Sequence, residues 1–133
     1  AGQFSVEGIS LPLEDKWVVI PNEKTQIKNA TAGYNASIQA AATSAGYAFV
    51  DANAFMQQLA AGGVTDGDHT LTANLVTGGA VSLDGIHPTS RGYALIANEM
   101  MKAIDATYGS NFEDSGNLVD IGDYPTNYSP LLQ

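Results

Sequence analysis

The sequence predicts an α/β fold with a parallel sheet, and two features support this prediction. A helical pattern, a short apolar run and a second helical pattern follow one another with short connections between residues 22 and 62. A third helical pattern with clear start and stop signals comes after a long polar loop. Helices that alternate with buried strands over short connections are typical of domains with a parallel sheet. The 133 residues, 44% of them hydrophobic, suffice for one domain or part of one.

The first part of the chain combines a loop, a short strand and a long helix. Residues 1–16 carry Gly, Pro and mixed charge, so we expect a loop. Residues 17–20 form a β-type apolar run that stops at a proline. A helix follows, because Asn22 can cap it and Glu23 suits its first turn. Gly46 ends this helix, whose apolar face is expected to contain Ile27, Ala30, Tyr34, Ile38, Ala41 and Ala45.

The middle of the chain predicts a buried strand followed by a second helix. Residues 47–50 are apolar, and Asp51 stands at the C-terminal end of this run. We expect the helix to cover residues 52–61 and to end at a Gly-Gly pair. Residues 62–82 are rich in Gly, Thr and Asp, so a long loop is predicted, with room for a short strand near residues 71–76.

A last helix and an irregular tail complete the prediction. The helix begins at Thr89 or Ser90, runs to about Tyr108 and stops at Gly109. Its predicted apolar stripe contains Tyr93, Ile96, Ala97, Met100, Ile104 and Tyr108. Residues 110–133 are polar and contain two prolines, which favours an irregular tail over the surface.

Charge and composition exclude several classes of function. Five Lys and Arg against 14 Asp and Glu give a net charge of −9, whereas phosphate binding requires a basic surface. Anionic membrane surfaces are excluded on the same ground, and no apolar run approaches the ~20 residues of a membrane span. The absence of cysteine excludes disulfides and thiolate metal sites. Asp66-Gly67-Asp68-His69 offers oxygen atoms but lacks the longer series of a calcium loop, so a solvated turn is expected.

The segment from Ser82 to Tyr93 is the most informative part of the sequence. Asp84 and His87 lie three residues apart, a spacing at which a carboxylate in a turn can accept a hydrogen bond from an imidazole Nδ1–H. Pro88 favours an extended conformation at His87, and the capped helix that follows is a rigid support. From the spacing alone, two interpretations remain: a turn aspartate beside a packing histidine, or two members of a hydrolytic triad.

The run Ser82-Leu83-Asp84-Gly85-Ile86-His87-Pro88-Thr89, with Gly92-Tyr93 after it, resembles the last conserved block of the SGNH/GDSL hydrolases. Members of this family are serine esterases and lipases with a flavodoxin-like, three-layer α/β/α fold. The resemblance implies that Asp84 orients the imidazole and that His87 is the general base and acid. It also implies that residues 1–133 are the C-terminal portion of a single such domain.

The family's nucleophile has no counterpart in this sequence. Its Gly-Asp-Ser block is absent, because Gly67-Asp68 is followed by His69 and Gly122-Asp123 by Tyr124. Gly33-Tyr34-Asn35 matches the family's Gly-x-Asn oxyanion block only superficially, since periodicity places it within a helix. Ser115 lies in the polar tail without the strand-to-helix turn that exposes a nucleophilic serine.

Two functional hypotheses therefore remain. In the first, the chain supplies Asp84 and His87 to an ester hydrolase whose serine lies upstream, with a small-molecule ester as substrate and no metal or organic cofactor implied. In the second, the chain is a non-catalytic binding or scaffold module that lacks the nucleophile. A piece of a parallel sheet has open edges, so we expect it to pair with the missing N-terminal part of the domain or with a second copy. The resemblance suggests a secreted or bacterial cell-envelope protein.

Overall fold

The computed structural model describes residues 6–127, and the chain divides into two compact units, Ala1–Ile38 and Gln39–Gln133. The described residues form three α-helices: α1 (Pro21–Ala45), α2 (Ala52–Ala61) and α3 (Ser90–Tyr108). Two short strands, β1 (Val64–Asp66) and β2 (His69–Leu71), and two 3-10 helices, Asp15–Trp17 and Ile121–Asp123, complete the regular structure. Residues 1–5 of the predicted loop and 128–133 of the predicted tail lie outside the described residues.

The observed sheet is an antiparallel hairpin. Val64 pairs with Leu71 and Asp66 with His69, so Gly67 and Asp68 form a two-residue turn. Short turns that contain Gly and Asp connect antiparallel strands with little strain. The chain therefore has α/β content, but no parallel sheet of strands is formed within residues 6–127. The three-layer arrangement remains a prediction.

Both strands predicted from apolar runs are absent. The first residue of the first run, Trp17, is the last residue of the 3-10 helix Asp15–Trp17, and residues 18–20 have no regular structure. Residues 47–50 form no strand either, although the Ala48 N–H donates to the Tyr108 hydroxyl at 3.1 Å. A strand needs a neighbour that completes its hydrogen-bond ladder. No such neighbour exists for these two runs in the described part of the chain.

Helix α1 begins one residue earlier than predicted. Pro21 occupies its first position, which suits proline because the N–H there has no helical partner. Glu23 Oε2 accepts the Ile20 N–H at 3.1 Å, so Glu23 rather than Asn22 satisfies the start of the helix. The helix ends at Gly46 as predicted. The expected apolar face is not buried, because none of the residues in α1 is.

Helices α2 and α3 have the bounds predicted for them. Asp51 caps α2, its Oδ1 accepting the Ala54 N–H at 2.9 Å. Thr89 caps α3 by accepting the Gly92 N–H at 2.9 Å, and Gly109 ends the helix. Both capping side chains satisfy N–H groups that the first helical turn leaves without partners.

The buried face of α3 differs from the predicted stripe. The buried residues are Arg91, Gly92, Ala94, Leu95 and Asn98, whereas Tyr93, Met100 and Tyr108 are exposed. Helix α3 has apolar residues on two sides. The side that carries Ala94 and Leu95 belongs to the core of the second unit, and Ile96 of the predicted stripe packs partly against it. The other members of this core are Phe55, Leu59, Leu71, Ala80 and Ile121. Periodicity alone cannot decide which of two apolar sides is covered.

Residues 110–127 of the tail are irregular apart from one short 3-10 helix, but they do not lie wholly over the surface as expected. Ile121 is only 1% exposed, so this segment contributes to the core. No helix within residues 6–127 has the length and apolar character that a membrane crossing requires.

Candidate active site

The segment that carries Asp84 and His87 is a short loop with a closed base. The Ser82 N–H donates to the His87 carbonyl at 2.8 Å, and the Thr89 N–H donates to the Ala80 carbonyl at 3.0 Å. These two bonds pair the chain before the loop with the chain after it. We call residues 82–87 the dyad loop, and Asp84 with His87 the dyad.

Asp84 accepts four hydrogen bonds within the dyad loop. Its Oδ1 accepts from the Ser82 hydroxyl at 2.6 Å and from the backbone N–H groups of Ile86 and His87 at 2.8 and 2.9 Å. Its Oδ2 lies 2.6 Å from Nδ1 of His87. Gly85 has φ +72°, a left-handed conformation that glycine adopts without strain and that turns the chain back toward Asp84. Asp84 therefore shapes the loop as well as contacting the imidazole.

These contacts keep Asp84 ionised and determine which ring nitrogen of His87 carries the proton. Hydrogen bonds from the Ser82 hydroxyl, the His87 ring and the two backbone N–H groups hold the pKa of Asp84 well below its usual range. An ionised carboxylate can only accept hydrogen bonds, so Nδ1 of His87 carries the proton that they share. Nε2 of the neutral ring is then an acceptor, as a general base requires.

The dyad is open to solvent in this chain. The His87 side chain is 68% exposed, and its Nε2 has no hydrogen-bond partner within residues 6–127. Two apolar side chains of the dyad loop, Leu83 and Ile86, are also exposed. Leu75 lies beside them, with Cδ1 3.9 Å from the position that a Cβ on Gly85 would occupy. An exposed acid–imidazole pair with an apolar border is accessible to a second group.

The first turn of α3 is bonded to the chain segment that precedes the dyad loop. The Thr89 hydroxyl donates to the Gly79 carbonyl at 2.5 Å while it caps the helix, so one buried side chain ties α3 to the chain before the loop. Gly92 packs directly on the Ala80 carbonyl, where a Cβ would overlap with the oxygen atom. Close packing therefore explains why a glycine stands at the first position of the Gly92-Tyr93 pair. The sequence alone does not indicate this contact, because Ala80 carries no distinguishing signal.

The other residues singled out in the sequence do not join the dyad. Asn35 lies within α1, as predicted, and not at the end of a strand. The Ser115 hydroxyl donates to the Asn111 carbonyl in a turn of the tail. Asp68 belongs to the hairpin turn, and no group of three His, Asp or Glu side chains able to hold a metal ion occurs in the described part of the chain.

Comparison with known protein families agrees with the sequence resemblance. A family model described as GDSL-like Lipase/Acylhydrolase matches residues 7–100, which is more than half of the chain and includes the dyad loop. The chain has no significant match among curated proteins or among solved structures. The match confirms the family that the segment from Ser82 to Tyr93 resembles.

Proposed function

Because the chain belongs to the GDSL-like lipase and acylhydrolase family, we propose that it supplies the aspartate and histidine of a Ser-His-Asp triad that hydrolyses esters. One observation carries the proposal: the Asp84 carboxylate lies 2.6 Å from Nδ1 of His87 and leaves Nε2 without a partner within residues 6–127. A triad requires this arrangement of its acid and its base.

The proposed reaction proceeds in two steps. Nε2 of His87 removes the proton of a serine hydroxyl as the serine oxygen attacks the ester carbonyl carbon. The resulting imidazolium, stabilised by ionised Asp84, gives this proton to the departing alkoxide, which leaves as an alcohol. Water then attacks the acyl-serine with His87 as base, and the carboxylic acid and free serine are released. The proton balance requires no metal or organic cofactor.

We propose that the serine comes from polypeptide outside these 133 residues. In support, no hydroxyl group within residues 6–127 is hydrogen-bonded to Nε2 of His87. The Ser82 hydroxyl is instead bonded to Asp84, and the Ser115 hydroxyl to the backbone of the tail. The same observation favours the second candidate function, a non-catalytic binding module. The two are separated by the activity of the full gene product.

The exposed side of α3 is the surface that we propose the N-terminal part of the domain covers. Met100 and Tyr108 are more than half exposed, although both are apolar or aromatic. A cavity of about 470 Å³ beside them is lined by Ala48, Val50, Met100, Ala103, Ile104 and Tyr108. Ala48 and Val50 line this cavity, and the run 47–50 to which they belong pairs with no strand within residues 6–127, so a strand of the N-terminal part is the partner that we propose for it. Self-association through this surface is the alternative that the mass of the isolated chain in solution would reveal.

The test is hydrolysis of p-nitrophenyl acetate by the full product of the gene. His87→Ala should lower kcat by about 10³-fold or more, because the base and acid of the reaction are removed. His69→Gln is the matched control, since His69 is the other histidine and lies in β2. It should retain activity.

Two results would argue against the proposal. Equal activity in His87→Ala and wild type would remove His87 from the mechanism. Turnover by the isolated 133-residue chain at the rate of the full gene product would show that the nucleophile lies within the chain. An inactive full gene product would favour the binding module.

A further inference from the structure

The C-terminal tail contacts both segments that flank the dyad loop, although it lies beyond the family match, which ends at residue 100. Asn127 donates from Nδ2 to the Val81 carbonyl at 3.0 Å, immediately before the loop. Arg91, in the first turn of the helix that follows the loop, donates its backbone N–H to the Pro125 carbonyl at 3.1 Å. The tail therefore bridges the two ends of the dyad loop.

The bond from Asn127 to the Val81 carbonyl lies on the side of the loop base that faces away from the returning chain. Ala80 and Ser82 direct backbone groups toward the returning chain, through the bonds to Thr89 and His87. Successive residues in an extended pair direct their backbone groups to opposite sides, so the Val81 carbonyl points away from that partner. Asn127 occupies this outer side. Its side-chain amide adds a third hydrogen bond to the backbone of the loop base, where Val81 and Pro88 form an isolated bridge.

Arg91 makes the start of α3 depend on the tail. Its side chain is buried, and its guanidinium donates from Nε to the Tyr124 carbonyl at 2.9 Å and from Nη2 to the Gly122 carbonyl at 3.2 Å. A buried charge without hydrogen-bond partners is costly. The tail carbonyls supply partners for it, so the tail and the first turn of α3 are held in one arrangement.

The beginning of this tail segment is anchored deeper in the core. Asn98 is fully buried, and its Oδ1 accepts the Val119 N–H while its Nδ2 donates to the Val119 carbonyl, both at 2.9 Å. Ile121 is packed in the core between this anchor and the Arg91 contacts. The segment from 119 to 127 is thus fixed at its start, and its end contacts the chain beside the dyad.

We propose that Asn127 and Arg91 are positioning residues that hold the Asp84–His87 pair in its hydrogen-bonded geometry through the tail. The proposal rests on the proposed function only for its effect on catalysis. Its structural effect is measurable in the isolated chain. Loss of the Asn127 contact allows the loop base to shift, which lengthens the bond between Asp84 and Nδ1 of His87.

The test compares Asn127→Ala with Asn117→Ala, a matched control in the same tail. Asn117 contacts Ser115 and has no bond to the dyad loop. In the 133-residue chain, 15N chemical shifts of the His87 ring measure the fraction of molecules with the proton on Nδ1. We expect Asn127→Ala to lower this fraction roughly twofold, because the hydrogen bond that selects the tautomer is weakened. Asn117→Ala should leave it unchanged.

The full gene product provides the second measurement. Asn127→Ala should lower kcat about tenfold with KM unchanged, since a small displacement of a catalytic group slows chemistry without altering binding. Asn127→Gln, which retains an amide donor, should recover part of the loss. Arg91→Lys retains the charge but loses the planar donor geometry, and it should shift the tautomer fraction in the same direction.

Two outcomes would overturn the inference. One is an unchanged Nδ1–H fraction in both Asn127→Ala and Arg91→Lys. The other is a loss of stability in Asn127→Ala without any change in the tautomer or in kcat, as expected for a merely structural contact. If the wild-type full gene product hydrolyses no ester, the proposed function fails, whereas the tautomer measurement still decides this inference.

Discussion

At the scale of single residues, Asp84 combines two tasks. One carboxylate oxygen organises the dyad loop through the Ser82 hydroxyl and two backbone N–H groups, and the other contacts the imidazole. The donors that shape the loop are the same groups that favour the ionised carboxylate. Folding of six residues therefore produces an acid that is charged at the pH where a histidine titrates.

Asp84→Asn should change the tautomer of His87. An asparagine amide can donate to Nδ1, so the ring proton moves toward Nε2, the atom that must be free to act as base. We expect 15N shifts of His87 to report this change in the isolated chain, and kcat of the full gene product to fall about 10³- to 10⁴-fold. Asp68→Asn, in the hairpin turn, is the control. Retention of the Nδ1–H form in Asp84→Asn would contradict the assigned role.

Asp105 should make stability depend on pH. Partial burial raises its pKa, but hydrogen bonds from the Ser110 hydroxyl and from the Glu113 and Phe112 N–H groups outweigh this and hold the pKa below its usual value. An unfolded aspartate titrates at about pH 3.9. Between the lower pKa of Asp105 in the folded chain and this unfolded value, the unfolded chain therefore binds more protons than the folded chain. The stabilisation is complete above about pH 4 and is lost as the pH falls through the folded pKa.

Asp105→Asn should remove this part of the pH dependence. Urea midpoints measured between about pH 2 and pH 6 should converge for wild type and variant at the acidic end and diverge as the pH rises. Asp114→Asn, an exposed acid of the same tail, should follow the wild type. Parallel curves for wild type and Asp105→Asn would contradict this prediction. Asp84 contributes with the same sign, because its pKa is also lowered.

At the scale of elements, α3 connects the dyad loop with the core. Thr89 caps the helix and donates a hydrogen bond to the Gly79 carbonyl, and Leu95, further along the same helix, is buried in the core. The close approach of Gly92 to Ala80 sets the distance between the helix and the chain that precedes the loop. We therefore expect a displacement of α3 to shift Asp84 and His87.

Gly92→Ala should destabilise the second unit by about 1–3 kcal/mol, the usual cost of overpacking a close contact. Gly62→Ala is a matched control in the same unit, because a Cβ at Gly62 meets no atom within 4 Å. Urea unfolding followed by far-ultraviolet circular dichroism measures the difference. Equal stability of the two variants would show that α3 does not pack against Ala80 as described.

The elements that could be predicted from the sequence are those defined by local signals. Thr89 and Gly109 mark the ends of α3, and the Gly62-Gly63 pair marks the end of α2, so these two helices were predicted correctly. Strands depend on partners distant in sequence, and the two apolar runs at 17–20 and 47–50 lack such partners within residues 6–127. The hairpin of β1 and β2 was missed, although the Gly67-Asp68 dipeptide is a recognised hairpin signal.

At the scale of the whole molecule, the dyad could be predicted from the sequence, whereas the residues that hold the dyad loop and the tail in place could not. Asp84 and His87 stand within one short motif, whereas Arg91, Asn98 and Asn127 act across 21 to 46 positions of sequence. Such contacts exist only after the tail has folded against α3. Ordinary polar residues in a polar tail carry no local sign of that role.

Met100→Glu should change the stability of the isolated chain much less than that of the full gene product. Met100 is 52% exposed here, so a charge should change stability of the 133-residue chain by no more than about 0.5 kcal/mol. If the N-terminal part covers this side of α3, the same change should cost the full gene product more than about 2 kcal/mol, because an unpaired charge is buried. Ala106→Glu, at an exposed position of α3, is the control. Equal effects in both proteins would contradict the proposed covering.

The most direct measurement of the proposed mechanism is labelling of the full gene product with a fluorophosphonate, followed by peptide mapping. The reagent forms a covalent bond with a serine that a histidine base activates. The mechanism predicts a single labelled serine outside the 133 residues, with labelling that falls at least about 10²-fold in His87→Ala. A label on a serine within the 133 residues, or labelling unchanged by His87→Ala, would contradict it.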